Sequence, residues 1–466
     1  MTAGKSFALS CQDVTSRVIQ PLYRLQRLVR PACRPTMVAC RQGLRFRIES
    51  AGMSEKEKLE WILHRLRDSV RRACRDTLYY RRLFSEAGFD PWEEFGFDAF
   101  GRLPVLDRQD ILQNGQALAS RSVPTAQMRK DSTGGTTGQP TELWLGPEER
   151  GWQESGFDHF MQRLGVIRGA RIGLLWGHHL DPVASARPRD RIRDFMSNTR
   201  WFDCFRLSPE VLGRYHRELD AWRPHCVIAY ASALGALAEE VKAGGARPSY
   251  PISCFVTGAE KLMPHHRSLI ESVFGCYVHE RYGGRDIGLV GFQMDRPRTL
   301  DFEIDWANVL VEPETVGGEA AILVTKLHGD GMPMIRYKVG DIGRFPRGSQ
   351  PGQPTFILHE IVGRDVERIW LDESTWVHGN QFPHMMKDYP VREFQVVQHA
   401  DLTVTIRVVP RQGFSDTDRR NILATVSANT PGLTVHLELM TEIPRTISNK
   451  LRPVISEVDG RLRQGL

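Results

Sequence analysis

The sequence has no run of 18 or more apolar residues, the length a helix needs to cross a bilayer, so a membrane span is not expected. Its start lacks the order of a few basic residues followed by an apolar core, so secretion is not read from it either and the cytoplasm is the expected location. The eight cysteines stand singly between Cys11 and Cys276, without the CxxC spacing of a zinc site or redox pair, and a disulfide framework is therefore not expected. Internal repeats and low-complexity tracts are missing. Acidic residues are scarce near the start, where Arg17, Arg24, Arg27, Arg30, Arg34, Arg41, Arg45 and Arg47 face only Asp13 and Glu49. That segment reads first as a solvated amphipathic helix. Contact with a membrane surface or polyanion, or a mitochondrial address, are the other uses of such a stretch. No nucleic-acid partner is expected, and a homodimer is left open.

What is present is the composition of a globular protein, 41% hydrophobic and 25% charged over 466 residues, a length that calls for more than one core. From Glu55 to Phe84 apolar residues recur at helical spacing (Leu59, Ile62, Leu63, Leu66, Val70), with Gly88 as a stop. Beyond Gly169 short apolar runs alternate with helical stretches: Arg171–Trp176 and Cys226–Tyr230 as strands, Ser232–Lys242 as a helix, Ser253–Thr257 as a strand, Pro264–Phe274 as a helix and Tyr277–Tyr282 as a strand. Such alternation predicts βαβ units around a largely parallel sheet, which binds ligands at the carboxyl ends of its strands. After Gly363 the alternating Leu402, Val404, Ile406 and Val408, a capped helix over Ser415–Asn429, and the alternating Leu433, Val435, Leu437 and Leu439 predict a small α+β domain. The expected division is a helical segment over 1–100, a large α/β domain over 101–362 and a small α+β domain over 363–466. Arg347–Pro354, rich in Gly and Pro, reads as an exposed hairpin or loop.

One stretch carries chemistry by composition. Asp131-Ser-Thr-Gly-Gly-Thr-Thr-Gly-Gln-Pro-Thr141 crowds glycines with the hydroxyls of Ser132, Thr133, Thr136 and Thr137. Gly134, Gly135 and Gly138 let backbone N–H groups converge on an anion, and the hydroxyls add donors, an arrangement suited to the β- and γ-phosphates of ATP. It lacks the GK[ST] ending of a Walker A loop. A Ser/Gly linker has the same composition. The alternating Thr141–Leu145 strand and the helical stretch from Glu148 set it inside folded structure instead.

Taken with four segments further along the chain, this loop resembles the phosphate-binding signature of the acyl-adenylate-forming superfamily, in its phenylacetate-CoA ligase and CapK-like branch. Tyr282-Gly-Gly-Arg-Asp-Ile-Gly288 resembles that family's aromatic, glycine and acidic segment. Met334-Ile-Arg-Tyr-Lys-Val-Gly-Asp-Ile-Gly343 is similar to its RYxxGD motif, Gly363-Arg364 to its hinge, and Pro444-Arg-Thr-Ile-Ser-Asn-Lys450 to its terminal lysine motif. The resemblance implies a large α/β adenylation domain with a small mobile α+β lid. It implies ATP-dependent formation of an acyl-AMP from a carboxylic acid, aromatic or arylacetic, and transfer to coenzyme A, with ATP or AMP, Mg²⁺ and coenzyme A as the groups bound. By the same resemblance Tyr282 with Gly283 packs on adenine, Asp286 holds Mg²⁺, Asp341 and Arg364 contact the ribose, Lys450 is the catalytic lysine, and Gly258, Ala259 and Glu260 lie near the adenine and acid. Arg285 stands where the family has threonine and would meet the α-phosphate. The loop ends Gly138-Gln139-Pro140 where Gly-Lys-Pro is common, and Val366 and Glu367 replace paired hinge aspartates. Gly291–Pro297 holds none of the cysteine and histidine residues of a zinc-bearing relative, so no zinc is expected. The alternatives are a ligase delivering the acyl group to an amine, hydroxyl or carrier-protein thiol, and a nucleotide-binding relative without catalysis.

Overall fold

The computed structural model describes the chain except residues 1–33, 134–140, 177–196, 205–206, 246–247, 249–251, 297, 317, 365–367, 372–375, 379–380, 387–388, 445–450 and 459–466. The described residues form two compact units, one running to Val339 with Gly343–Glu360, the other Gly340–Ile342 with the chain from Ile361 onward.

The first unit is built on an eight-stranded sheet. Its strands are β3 (Ile172–Trp176), β4 (Thr199–Asp203), β5 (Cys226–Tyr230), β6 (Cys254–Gly258), β7 (Val278–Gly284), β8 (Gly288–Gln293), β9 (Phe302–Ile304) and β13 (Ile357–Leu358), in the order β13-β9-β8-β7-β6-β5-β3-β4. The β4-β3-β5-β6-β7 part is parallel and the rest antiparallel. Strands buried on both faces read as unbroken apolar runs, as in Cys226–Tyr230, where every residue is buried. Alternate side chains then serve opposite layers. Val227, Ala229 and Phe255 pack with Leu219, Leu237 and Ile270 of the helices Pro209–Trp222, Ala231–Ala243 and Pro264–Phe274. Cys226, Ile228, Cys254 and Val256 pack with Phe160 and Met161 of helix Pro147–Arg163. A hairpin of β1 (Arg129–Thr133) and β2 (Thr141–Leu145) precedes that helix, and a further sheet contains β10 (Val309–Pro313), β11 (Glu319–Lys326) and β12 (Tyr337–Arg344).

The structure refines one sequence expectation and corrects another. The helical region expected over Glu55–Phe84 consists of two helices, Glu55–Asp76 and Leu78–Glu86, parted at Thr77, which is extended (φ −125°, ψ 147°), its hydroxyl donating to the Ala73 carbonyl at 2.8 Å and accepting from the Tyr80 N–H. The loop Arg347–Pro354 is not wholly exposed: Gly352 is buried, at φ +83°, so close to Gly101 that a Cβ there would meet Phe97 and Gly101 backbone.

The helix Arg34–Glu49 is solvated only in part. Arg41 and Arg45 are exposed, but Arg47 is buried and paired with Asp305. Gly43 and Gly151 let this helix touch Pro147–Arg163 at backbone distance, since a Cβ on Gly151 would lie 2.5 Å from the Ala39 Cβ. Beside the seam Phe46, Trp61, Trp152 and Trp306 cluster, and His328 stacks on Trp152 with ring centroids 3.7 Å apart. Burial pushes the His328 pKa down from 6.5 to about 4, so its imidazole is neutral when folded, with Nδ1 assigned to accept from Arg65 and Nε2–H to donate to the Ala307 carbonyl. A depressed histidine pKa gives stability that is complete above about pH 6.5 and is lost as pH falls toward 4. The melting temperature of the wild type should therefore fall more steeply across that window than that of His328→Gln, and equal slopes would refute the assignment.

The second unit holds β14 (Glu360–Arg364) from Ile361, the hairpin of β15 (Arg368–Trp370) and β16 (Trp376–His378), and the strands β17 (Val391–Gln398), β18 (Val404–Pro410), β19 (Val435–Leu439) and β20 (Val454–Ser456), in the sheet order β19-β18-β17-β20. Helix Asp416–Asn429 starts from a reciprocal cap in which Ser415 and Asp418 each accept the other's N–H, and it joins the parallel pair β18 and β19. Val404, Ile406 and Val408 face the core against Ile422 and Val426. Leu439, at the end of the second alternating run, is exposed.

Candidate functional site

The carboxyl ends of β3, β5, β6 and β7 converge on one region, as expected of a parallel sheet. β5 ends at Tyr230, whose hydroxyl pKa burial pushes up to about 12. β6 ends at Gly258, followed by Ala259 at a positive φ of 67° and by Glu260. The Glu260 carboxylate turns back to accept the Ser232 N–H at 3.0 Å and its hydroxyl at 2.7 Å, at the start of helix Ala231–Ala243, and its other oxygen is buried with no hydrogen-bond partner among the described residues.

β7 carries Tyr282, Gly283 and Gly284 into a tight return to β8, with Arg285 and Asp286 in the turn. Glycine is required at 283, because a Cβ there would overlap the Gly288 carbonyl oxygen. Asp286 is half-buried; its Oδ1 accepts the Ile287 N–H at 3.1 Å and its Oδ2 the Tyr337 hydroxyl at 3.1 Å. Arg285 is exposed and stands 3.8 Å from Asp131 on β1. The acidic turn is thereby brought to the strand from which the glycine-rich loop leaves. Ser132 and Thr133 close that strand, while Gly134, Gly135, Thr136, Thr137 and Gly138 lie outside the described residues.

Asp341 and Arg364 belong to the second unit. Asp341 is half-buried in β12 beside Gly340 (φ +81°), and Arg364 ends β14. Lys450 and the hinge residues Asp365, Val366 and Glu367 lie outside the described residues.

Sequence reasoning did not single out Arg281, which sits against an aromatic wall beside these residues. The rings of Trp176 and Tyr230 lie 4.2 Å apart, and the Arg281 guanidinium sits 5.1 Å from the Trp176 centroid and 5.5 Å from that of Phe157. Phe157 and Arg281 also line a cavity of about 510 Å³ that runs from Gln153 and Leu289 to Arg168, Ile172 and Thr199 at the amino ends of β3 and β4. Arg281 directly precedes the Tyr282 motif, which was the available signal; Tyr337, which steadies Asp286, lies in the RYxxGD motif and could have been singled out the same way.

No protein-family model matches the chain. It is 22% identical to the protein CapK of Staphylococcus aureus over 370 residues, 77% of this chain and 80% of that one. To a phenylacetate-coenzyme A ligase of Pseudomonas putida it is 21% identical over 418 residues, 86% of each. Among solved structures, a 2-hydroxyisobutyryl-CoA ligase in the postadenylation state in complex with R3-HIB-AMP superposes with a TM-score of 0.68 at 18% identity, covering 89% of this chain and 94% of that one. The likeness to that structure establishes the fold, an α/β domain followed by a C-terminal domain.

Proposed function

We propose that this chain, a relative of CapK and the phenylacetate-coenzyme A ligases within the acyl-adenylate-forming superfamily, activates a carboxylic acid as an acyl-AMP and passes the acyl group to a thiol. In the first half-reaction a carboxylate oxygen of the acid attacks the α-phosphorus of ATP, the bond to the bridging oxygen breaks, and pyrophosphate leaves. In the second, the thiolate of coenzyme A adds to the acyl carbonyl and AMP leaves. Two anions must meet in the first step, so positioned cations and donors carry most of the acceleration.

The observation that carries this reading is the meeting of the Tyr282–Gly288 turn with the strand leading into the glycine-rich loop, through Arg285 and Asp131, beside a cavity to which Phe157 and Arg281 contribute. In it Arg285 exchanges its long contact with Asp131 for the α-phosphate, Tyr282 lies against adenine, and Asp341 and Arg364 hold the ribose. Ser132, Thr133 and residues 134–138 take the β- and γ-phosphates, Gly258–Glu260 border the acid, and Lys450 supplies the cation at the reacting carboxylate. Magnesium uses one or two carboxylates and fills its shell with phosphate oxygens and water. Asp286, half-buried and steadied by Tyr337, fits that demand. The ion when bound would neutralise phosphate charge. An arylacetic acid is the substrate class suggested by the relatives' names.

Acid-dependent ATP–pyrophosphate exchange tests the reading. Exchange with an acid in the absence of coenzyme A, and thioester formation once it is added, is the expected result. Exchange with transfer only to amines or hydroxyls would replace the acceptor, and ATP binding without exchange for any acid would overturn the chemistry. Asp286→Ala should lower exchange by about 10²-fold or more. Tyr337→Phe, which leaves the carboxylate but frees its position, should cost about tenfold. Equal effects of the two would argue that Asp286 acts only as a partner of Tyr337.

A further inference from the structure

Arg281 has no part in the adenylation chemistry as assigned to Arg285, Asp286 and Lys450. Its guanidinium lies against the faces of Trp176 and Phe157 and lines the 510 Å³ cavity, and its stem passes so close to Gly258 that a Cβ there would lie 2.9 Å from both Cγ and Nε. Of the other cations around the cavity, Arg168 binds the Asp158 carboxylate, Arg129 pairs with Asp131, and Arg150 donates to the Gly146 and Gln127 carbonyls. Of the acids nearby, Asp158 is paired with Arg168, and Glu260 turns one oxygen to the Ser232 N–H and hydroxyl. Among the described residues no carboxylate pairs with Arg281, and burial pulls its pKa down with only the Tyr230 hydroxyl acting the other way. Aromatic faces offset part of the cost of removing a guanidinium from water. The rest of that cost is ordinarily met by an anion.

This cation stands at the carboxyl ends of β6 and β7, next to Gly258–Glu260 and one residue before Tyr282, where the proposed function seats the acid. We infer that the acid taken by this chain bears a second negatively charged group, a further carboxylate, which Arg281 binds at the aromatic-walled end of the cavity while the first carboxylate is turned to ATP. The inference rests on the adenylation reading. It deepens that reading by separating this chain's substrate from a neutral-bodied arylacetic acid: a dicarboxylate with an aromatic or short aliphatic body matches a cavity lined by Phe157 and Met161 where Arg281, held against Trp176, has no carboxylate paired with it among the described residues. Arginine suits the task because its planar fork binds a carboxylate through two N–H groups while its face rests on a ring.

The test compares acids in pairs that differ in the second carboxylate: phenylacetate against 1,3- and 1,4-phenylenediacetate, and pentanoate against glutarate. Full-length wild type, Arg281→Met and Arg281→Lys are each measured by ATP–pyrophosphate exchange and, separately, by calorimetric titration of the acid in the presence of a non-hydrolysable ATP analogue. The wild type should favour the dicarboxylate of at least one pair by about tenfold or more. Arg281→Met should abolish or invert that preference with the affinity for the ATP analogue kept within about twofold, and Arg281→Lys should retain part of it. A wild type that favours the monocarboxylates in both pairs overturns the inference. So does an Arg281→Met variant that weakens the ATP analogue and every acid alike, which would assign the guanidinium to the nucleotide phosphate. Exchange with phenylacetate but no charge preference leaves adenylation standing and removes this inference. Charge-selective binding without exchange does the reverse.

Discussion

Lys450→Ala is expected to slow acyl-AMP formation by about two to three orders of magnitude, the range found when a single pre-placed donor to a developing oxyanion is removed. The variant should still convert chemically prepared acyl-AMP and coenzyme A to thioester at a rate within about threefold of wild type. The split reflects the charges in the two steps. A carboxylate approaching a polyphosphate builds negative charge at phosphorus that an ammonium offsets, whereas a thiolate attacking an acyl-AMP displaces a leaving group already made. Lysine is suited to this because its charge is compact and sits on a flexible stem. Single-turnover measurement of each half-reaction decides the matter: equal losses in both steps would show that Lys450 maintains the structure or binds nucleotide throughout, and would remove it from the chemistry.

The largest effect on stability is expected at Asp305. Its two oxygens accept from Arg47 Nε at 2.9 Å and Nη2 at 2.7 Å, and both side chains are only 4% exposed. Arg47 spends its remaining donors on the Gly43 carbonyl, the Ser155 hydroxyl and the Trp152 carbonyl. Asp305→Ala leaves that guanidinium buried with its charge unpaired, which costs about 3–5 kcal/mol. Replacing both partners, as in Arg47→Met with Asp305→Ala, should recover much of the loss, because the expensive element is the orphaned charge. Urea denaturation of the two single variants and the double variant reads out the coupling. Additive losses would show the pair to be energetically independent despite the geometry.

That pair also marks where the sequence could and could not be read. Cys226–Tyr230 and Cys254–Gly258 declare themselves as buried strands because every residue of each is apolar or small, and the helices between them carry their own start and stop signals. Arg47, by contrast, belongs to a basic stretch that looks solvated, and what buries it is a carboxylate 258 residues away. β17 escaped notice for a related reason: Gln395 and Gln398 interrupt its apolar pattern, yet both are buried. The Gln398 amide exchanges hydrogen bonds with the Trp370 backbone, and the Gln395 amide donates to the Arg452 carbonyl. The break at Thr77 is invisible to periodicity, which senses turns of helix and not a single extended residue. At the site, the glycines around Arg285 and Asp286 announce a constrained turn, whereas the contacts of Arg281 with Phe157 and Trp176 exist only once three separate elements have been folded together.

The ring cluster of Trp61, Trp152, Trp306 and Phe46 has an optical consequence. Indoles with centroids 5.7–6.2 Å apart share excitation, so light absorbed by any of the three reaches the others before it is emitted. An imidazole stacked on Trp152 at 3.7 Å is a quencher in contact with that shared state. The three tryptophans therefore act as one dim chromophore in the native protein, and separating helix Glu55–Asp76 from helix Pro147–Arg163 should brighten the emission. Trp176 stands apart from them at the end of β3 against Arg281, so the change in emission between the wild type and Trp176→Phe reports the surroundings of Arg281 separately from the docking of the N-terminal helices.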